Sequence, residues 1–346
     1  MRGFGFAQHG GLDQLTFVDV PEPTPGPDDV RVHIRAAGFN HLDRFTLAGI
    51  PGVSVALPHV LGSDGAGTVD QTGSDVHDLN VGSKVLLNPG IWDSTCPACR
   101  AGQEALCRNY RILGEHTQGT ATRFVVVPRR NVHPLPDRMS FVEGAAAPLV
   151  FLTAWRALAT VGGVRPGDRV AIVGAGGGVP TAAVQVAKLL GGTVAVASRS
   201  PSKEAQVRSL GADAFLPFSD GRPLDRVLWE WSEKNGVDVI LDSVGAPTLA
   251  RSVRALARAG RVVVLGATGG PNVELDIRTL FWRQASVRGS TMSSAREFLD
   301  VYEHLAAGRL RAVVDTAVSF DRAIDAFRRF DAPDLFGKIV LRDPPE

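Results

Sequence analysis

The chain has 346 residues, and its 37 basic and 36 acidic side chains leave a formal charge of +1. That balance gives no electrostatic footprint for nucleic acid or an anionic membrane surface, so neither is expected as a partner. A 44% hydrophobic, 21% charged composition excludes disordered and fibrous classes, and at roughly 150 residues per domain the length suggests two domains.

The N-terminus, Met1-Arg2-Gly3-Phe4-Gly5-Phe6-Ala7-Gln8-His9, lacks the apolar core of a signal peptide, which makes the cytoplasm the expected compartment. The next part of the chain predicts β structure. Asp29-Val30-Arg31-Val32-His33-Ile34-Arg35 alternates with period two, and Lys84-Val85-Leu86-Leu87 and Phe124-Val125-Val126-Val127 are short apolar runs bounded by turn residues. A partly closed antiparallel sheet with long loops is expected. The longest weakly charged stretch, Gly144 to Trp155, falls far short of the roughly 20 residues a membrane span needs.

Within the β part, all three cysteines lie close together. Cys96, Cys99 and Cys107 are odd in number and have no distant partner, a poor disulfide framework. With Asp93 the spacing Asp93-x2-Cys96-x2-Cys99-x7-Cys107 supplies four ligands, enough for a closed tetrahedral zinc site with one carboxylate. Such a site does no chemistry; it staples a loop. The alternative is a loop with three free thiols.

After about Glu143 the texture changes. Asp168-Arg169-Val170-Ala171-Ile172-Val173 is a continuous apolar strand, followed by Gly174-Ala175-Gly176-Gly177-Gly178 and a helical stretch from Thr181 to Leu190. Strand and helix then alternate: Thr193 to Ala197, Lys203 to Leu210, Val237 to Leu241, Pro247 to Ala259, Arg261 to Leu265. Continuous apolar strands joined by helices predict a parallel sheet covered on both faces. Ala295 to Ala307 is expected as a helix and Phe336 to Leu341 as a strand returning to the first domain, before the short Asp343-Pro344-Pro345-Glu346 end.

The glycine-rich turn predicts a dinucleotide site. Glycine permits positive φ and removes the Cβ where backbone meets pyrophosphate, while the amides of the following helix face the phosphates. Gly174, Gly176, Gly177, Gly178 and Val179 are the candidate contacts, with Pro180 inside the first helical turn. At the end of the second strand an acid would bind the ribose of NAD; here the chain reads Ser198-Arg199-Ser200, with Lys203 one turn on. Arg199 can clamp a 2′-phosphate, so NADPH is expected over NADH. Val244, Gly266 and Ala267, at the carboxyl ends of later strands, are candidate neighbours of the nicotinamide.

With these pieces in hand the chain resembles the medium-chain dehydrogenase/reductase superfamily. Gly62-Ser63-Asp64-x2-Gly67-x5-Gly73-x2-Val76 follows the zinc alcohol dehydrogenase signature. Gly167-Asp168 with Ala175-x-Gly177-Gly178-x-Pro180-x4-Gln185-x2-Lys188 is similar to that of the quinone reductase branch. The resemblance implies an α/β protein: a GroES-like, mostly antiparallel domain at 1–150 and 290–346, and a Rossmann doubly wound parallel sheet at 151–289. It implies a structural zinc on the lobe, with Asp93 in place of a first cysteine, and a homodimer or homotetramer.

The departures from the family pattern carry the functional expectation. The catalytic zinc of such alcohol dehydrogenases is held by a cysteine at the position of Asn40, a histidine at that of Ser63, and a ligand from the region Leu149-Val150-Phe151-Leu152. An amide, a hydroxyl and an apolar wall are poor zinc ligands. The resemblance then implies an NADPH-dependent reductase of a small electrophilic acceptor, a quinone or an activated C=C bond in an enal, enone or enoyl group. Asn40, His41 and Asp64 are the catalytic candidates: Asn40 to donate its amide, His41 to supply a proton near its ordinary pKa, Asp64 to bond His41 or a backbone amide. The plain alternatives are a helix cap and structural contacts. Asp43 is expected to pair with Lys338, Thr153 to approach the cofactor, and His116 is a further candidate. The rival readings are an alcohol dehydrogenase with zinc held by His41, His59, Asp64 or His116, and a non-catalytic NADPH-binding protein.

Overall fold

The computed structural model describes residues 1–343; Pro344, Pro345 and Glu346 of the expected C-terminal end lie outside them. The chain divides into two compact units, Met1–Leu149 with Ser294–Glu346, and Val150–Ser293.

The first unit is built on the strand Asp29–Phe39, whose apolar positions Val30, Val32, Ile34 and Phe39 are fully buried. It pairs antiparallel with Asp64–Thr72, with Phe124–Pro128 and with Lys338–Arg342. The register aligns Gly38 with Asp64 and Phe39 with Ile339. Since antiparallel neighbours start where the central strand ends, Asn40, Asp64 and Lys338 arrive at one end of the sheet. The helix Phe141–Ala146 lies close over it, so close that a Cβ on Gly38 would sit 1.9 Å from the Ala145 carbonyl oxygen. Phe4, Phe39 and Phe327 pack in the core with their rings tilted or edge-on to one another.

The second unit is a six-stranded parallel sheet in the order Ala214–Pro217, Thr193–Ser198, Arg169–Val173, Val237–Asp242, Leu256–Val264, Ser286–Gly289. Chain order reverses direction across Arg169–Val173, the switch point at which open α/β sheets hold ligands. The helix expected from Pro247 to Ala259 is shorter, Leu249–Arg254, and Leu256 to Ala259 belong to the next strand. The strand Ala214–Pro217 is only four residues long, and with the helix Leu224–Trp231 and the edge strand Ser286–Gly289 it went unread in the sequence. No helix among the described residues is long and apolar enough to cross a membrane.

Candidate functional site

At the switch point the glycine turn leads into the helix Gly178–Leu189. Gly174 takes φ +100°, a left-handed conformation that favours glycine. Gly177 is the extended N-cap at φ −75°, and no side chain caps the helix, which leaves its first amides without a side-chain acceptor. Pro180 falls in the first turn, where a missing N–H costs nothing. Beside the turn is a cavity of about 290 Å³. Gly174, Gly176, Ser198, Arg199, Lys203 and Val244 all line it. Gly177, Gly178 and Val179 form the helix start, Gly266 and Ala267 the turn after Leu256–Val264, and Thr153 is buried on the helix Pro148–Trp155; none of these lines the cavity. The sequence reading missed Phe218, Asp220, Pro247 and Arg251, which also line it. Phe218 and Asp220 follow the carboxyl end of a strand the sequence did not announce.

In the first unit, Asn40, Asp64 and Lys338 form one buried cluster. The Lys338 ammonium donates to Asp64 Oδ2 at 2.8 Å and to Asn40 Oδ1, and Asn40 Nδ2 donates to Asp64 Oδ2 at 3.0 Å. The Leu149 N–H donates to Asp64 Oδ1 at 2.7 Å. Side-chain exposure is 0% for Asp64 and 3% for Lys338. The expected pairing of Lys338 with Asp43 is therefore corrected: its partner is Asp64. Asp43 instead accepts from the Asn40 N–H (2.6 Å) and the Gly62 N–H (2.7 Å), bracing the start of the helix His41–Ala48. Burial pushes the Asp43 pKa up to about 6.

His41 does not bond Asp64, whose acceptors are taken by the three donors above. It packs on Phe330, and burial, with Arg44 next in weight, lowers its pKa to about 4. The imidazole is neutral at working pH, a correction to the expectation of a titration near its ordinary value. His59 is buried on Phe6 with Nε2 3.0 Å from the Gly114 carbonyl oxygen. His116 accepts the Ile112 N–H through Nδ1, which also lies 3.5 Å from Glu115.

Glu115 went unremarked in the sequence. Burial, with the charge of Asp43 second, raises its pKa to about 7, and its Oε2 is buried without a hydrogen-bond partner. Between its ordinary 4.5 and about 7 the folded chain holds a proton that the unfolded chain has lost. Its contribution to stability therefore falls as pH rises through that window and is flat above it. Glu115→Gln is expected to flatten this slope. Chemical-denaturation stabilities of both proteins between about pH 5 and about pH 8 should show the variant losing less, and parallel curves would contradict the assignment.

At the positions that hold catalytic zinc in the alcohol dehydrogenases the chain resembles, the residues do not fit that ion. Asn40 is committed to Asp64 and Lys338, Leu149 offers only its backbone amide, and Ser63 is a buried hydroxyl. A buried ammonium stands among them, and cation repels cation. His41, His59, Asp64 and His116 do not converge either. Among the described residues, the one cluster of three or more potential metal ligands is Asp93, Cys96, Cys99 and Cys107.

That lobe cluster does fit zinc. One ligand atom from each residue lies within 4.8 Å of the others. Asp93 Oδ1 accepts from the Cys96 and Thr95 N–H groups at 2.9 Å, and these bonds hold its carboxyl well below the usual carboxylate range. Cys96 opens the short helix Pro97–Arg100 and brings its sulfur 3.5 Å from that of Cys99. Three thiols and a carboxylate would hold the ion in a closed tetrahedral set, which supplies cross-linking and leaves no open position.

Comparison with known proteins agrees with the fold. The alcohol dehydrogenase GroES-like domain family matches residues 26–137, and the zinc-binding dehydrogenase family matches residues 178–307. The chain is 30% identical to a zinc-type alcohol dehydrogenase-like protein, YogA, of Leptosphaeria maculans, over 93% of this chain and 92% of that protein. The chain belongs to the medium-chain dehydrogenase/reductase superfamily and is an α/β oxidoreductase-family protein with a GroES-like domain and a Rossmann-like parallel sheet. Among solved structures, an NAD-dependent alcohol dehydrogenase has 38% identity and a TM-score of 0.94, covering 99% of this chain and 100% of its own. The 2-octenoyl-CoA carboxylase reductase CinF, in complex with NADP and 2-octenoyl-CoA, has 26% identity and a TM-score of 0.88, covering 97% and 83%.

Proposed function

We propose that this protein is an NADPH-dependent reductase of a quinone or of an activated C=C bond in an enal, enone or enoyl compound, working without a catalytic metal. The observation that carries the reading is the buried Asn40–Asp64–Lys338 cluster, which commits the amide at the expected thiolate position to a carboxylate and an ammonium, with the Ser63 hydroxyl where an imidazole would be needed. Bound NADPH supplies the hydride. An acceptor that is already electrophilic needs only donors for the oxygen that gains charge. Asn40 Nδ2 keeps a second N–H beyond its bond to Asp64, and the Lys338 ammonium polarises that amide through Oδ1.

Arg199 and Lys203 on the cavity wall, with no acid on the segment Ser198-Arg199-Ser200, support the preference for a 2′-phosphate. Arg199→Ala is expected to weaken NADPH binding by about tenfold to a hundredfold and leave NADH nearly unchanged, read by fluorescence titration. The name of the 38% identical neighbour favours a second reading, alcohol oxidation with NAD. A screen of NADPH oxidation over quinones, enals, enones and enoyl thioesters, with alcohols and NADP run in reverse, separates the two. Turnover of an electrophile with at most one zinc per chain is the expected outcome; chelator-sensitive alcohol oxidation with two zincs per chain sinks the proposal. Cofactor binding without turnover of any acceptor identifies a non-catalytic NADPH-binding protein.

A homodimer or homotetramer in the cytoplasm completes the reading. Its support is the exposed Ile277, Phe281 and Trp282 in the same unit as the edge strand Ser286–Gly289, an apolar set unusual for a monomer surface.

A further inference from the structure

The cavity beside the glycine turn carries more positive charge than the Ser198-Arg199-Ser200 segment explains. Arg251 also lines it, from the helix Leu249–Arg254. Arg199 and Arg251 follow the strands Thr193–Ser198 and Val237–Asp242, which flank Arg169–Val173 on its two sides. The cations therefore reach the cavity from both sides of the switch point. We infer that Arg251 is a specificity-determining residue, a second guanidinium that closes on the 2′-phosphate together with Arg199; this rests on the NADPH reading above.

Three observations carry it. First, charge balance: a phosphate monoester is close to a dianion at neutral pH, and Asp220 on the same wall adds a third negative charge. Arg199, Lys203 and Arg251 match that total, whereas Arg199 and Lys203 alone would leave the ligand facing an uncompensated carboxylate. Second, the adenine has other surfaces to lie on, since Val173, Phe218, Val244 and Pro247 supply apolar wall, so the guanidinium is not needed as a stacking plate. Third, Arg251 is free to turn. Its tether is a 3.5 Å contact to Asp225 Oδ1, while Asp225 Oδ2 is already held by Arg254 Nε at 2.9 Å. Moving Arg251 towards a phosphate therefore leaves that carboxylate with its shorter ion pair.

The test uses fragments that carry no nicotinamide and reads binding alone. Calorimetric titration of the full-length protein with 2′,5′-ADP and with 5′-AMP separates the 2′-phosphate from the rest of the adenosine half. Wild type is expected to bind 2′,5′-ADP at least tenfold more tightly than 5′-AMP. Arg251→Met keeps the apolar stem, and it should lose about tenfold for 2′,5′-ADP and under twofold for 5′-AMP. Arg251→Lys should recover part of the loss. The salt dependence of 2′,5′-ADP binding should be shallower in Arg251→Met, because one fewer cation meets the phosphate. Equal losses for both fragments would mean that Arg251 stacks on the base, and unchanged 2′,5′-ADP affinity would mean that Arg199 and Lys203 suffice; either overturns the inference. Equal affinity of the wild type for the two fragments instead overturns the NADPH reading itself. A melting temperature matching wild type in both variants shows that the binding changes are local.

Discussion

Replacing Lys338 by methionine is expected to destabilise the first unit by about 3–5 kcal/mol, the typical cost of removing one member of a buried ion pair. Asp64 is wholly buried, and without the ammonium its carboxylate keeps only the Asn40 amide and the Leu149 N–H. Two neutral donors do not replace a full charge in a low-dielectric site. Asp64→Asn, by the same reasoning, strands the ammonium. The double variant Asp64→Asn/Lys338→Met removes both charges and is expected to regain much of the loss, because two neutral side chains need no counter-ion. Denaturant titration read by fluorescence checks this, with each unit allowed its own transition. A single-variant loss below about 1 kcal/mol would show that the pair contributes little. Should Lys338→Met not fold, recovery of soluble protein in the double variant still decides the matter. The same change frees Asn40 Oδ1, so kcat for an electrophilic acceptor is expected to fall in the double variant even where stability returns.

The second large effect concerns the lobe. Purified protein is expected to contain about one zinc per chain, and Cys99→Ala to contain almost none. Structural zinc sites in small peptides bind with roughly 10 kcal/mol or more. The lobe has little else: its apolar cluster is Trp92, Cys99 and Cys107, with Cys96, Tyr110 and Ala295 against it. Metal loss should therefore open the lobe locally rather than unfold the unit, whose separate core of Phe4, Phe39, Val32 and Ile339 does not include these residues. Hydrogen exchange should show protection lost across 93–112 and kept in Asp29–Phe39. Elemental analysis finding no zinc in protein purified without chelator would refute the site, and uniform loss of protection would refute its local role.

What could be read before folding was whatever short-range spacing encodes. The turn Gly174-Ala175-Gly176-Gly177-Gly178 lies directly between its strand and its helix. The four lobe ligands span fifteen residues, from Asp93 to Cys107, so one loop brings them together. Ser198 ends a single strand that Arg199 and Lys203 follow, and the departures at Asn40 and Ser63 are visible against the family pattern. What only the tertiary structure decided is every contact made across the sheets. Lys338 reaches Asn40 and Asp64 over sequence separations of 298 and 274 residues, and local spacing could not tell Asp64 from Asp43 as its partner. Strand register made that choice, by setting Asp64 beside Gly38 and Ile339 beside Phe39. Arg251 and Asp220 reach the cavity for a related reason: parallel strands present their carboxyl ends on one side of the sheet, so loops far apart in the chain meet there. The neutrality of His41 and the retained proton of Glu115 likewise depend on burial, which packing alone supplies.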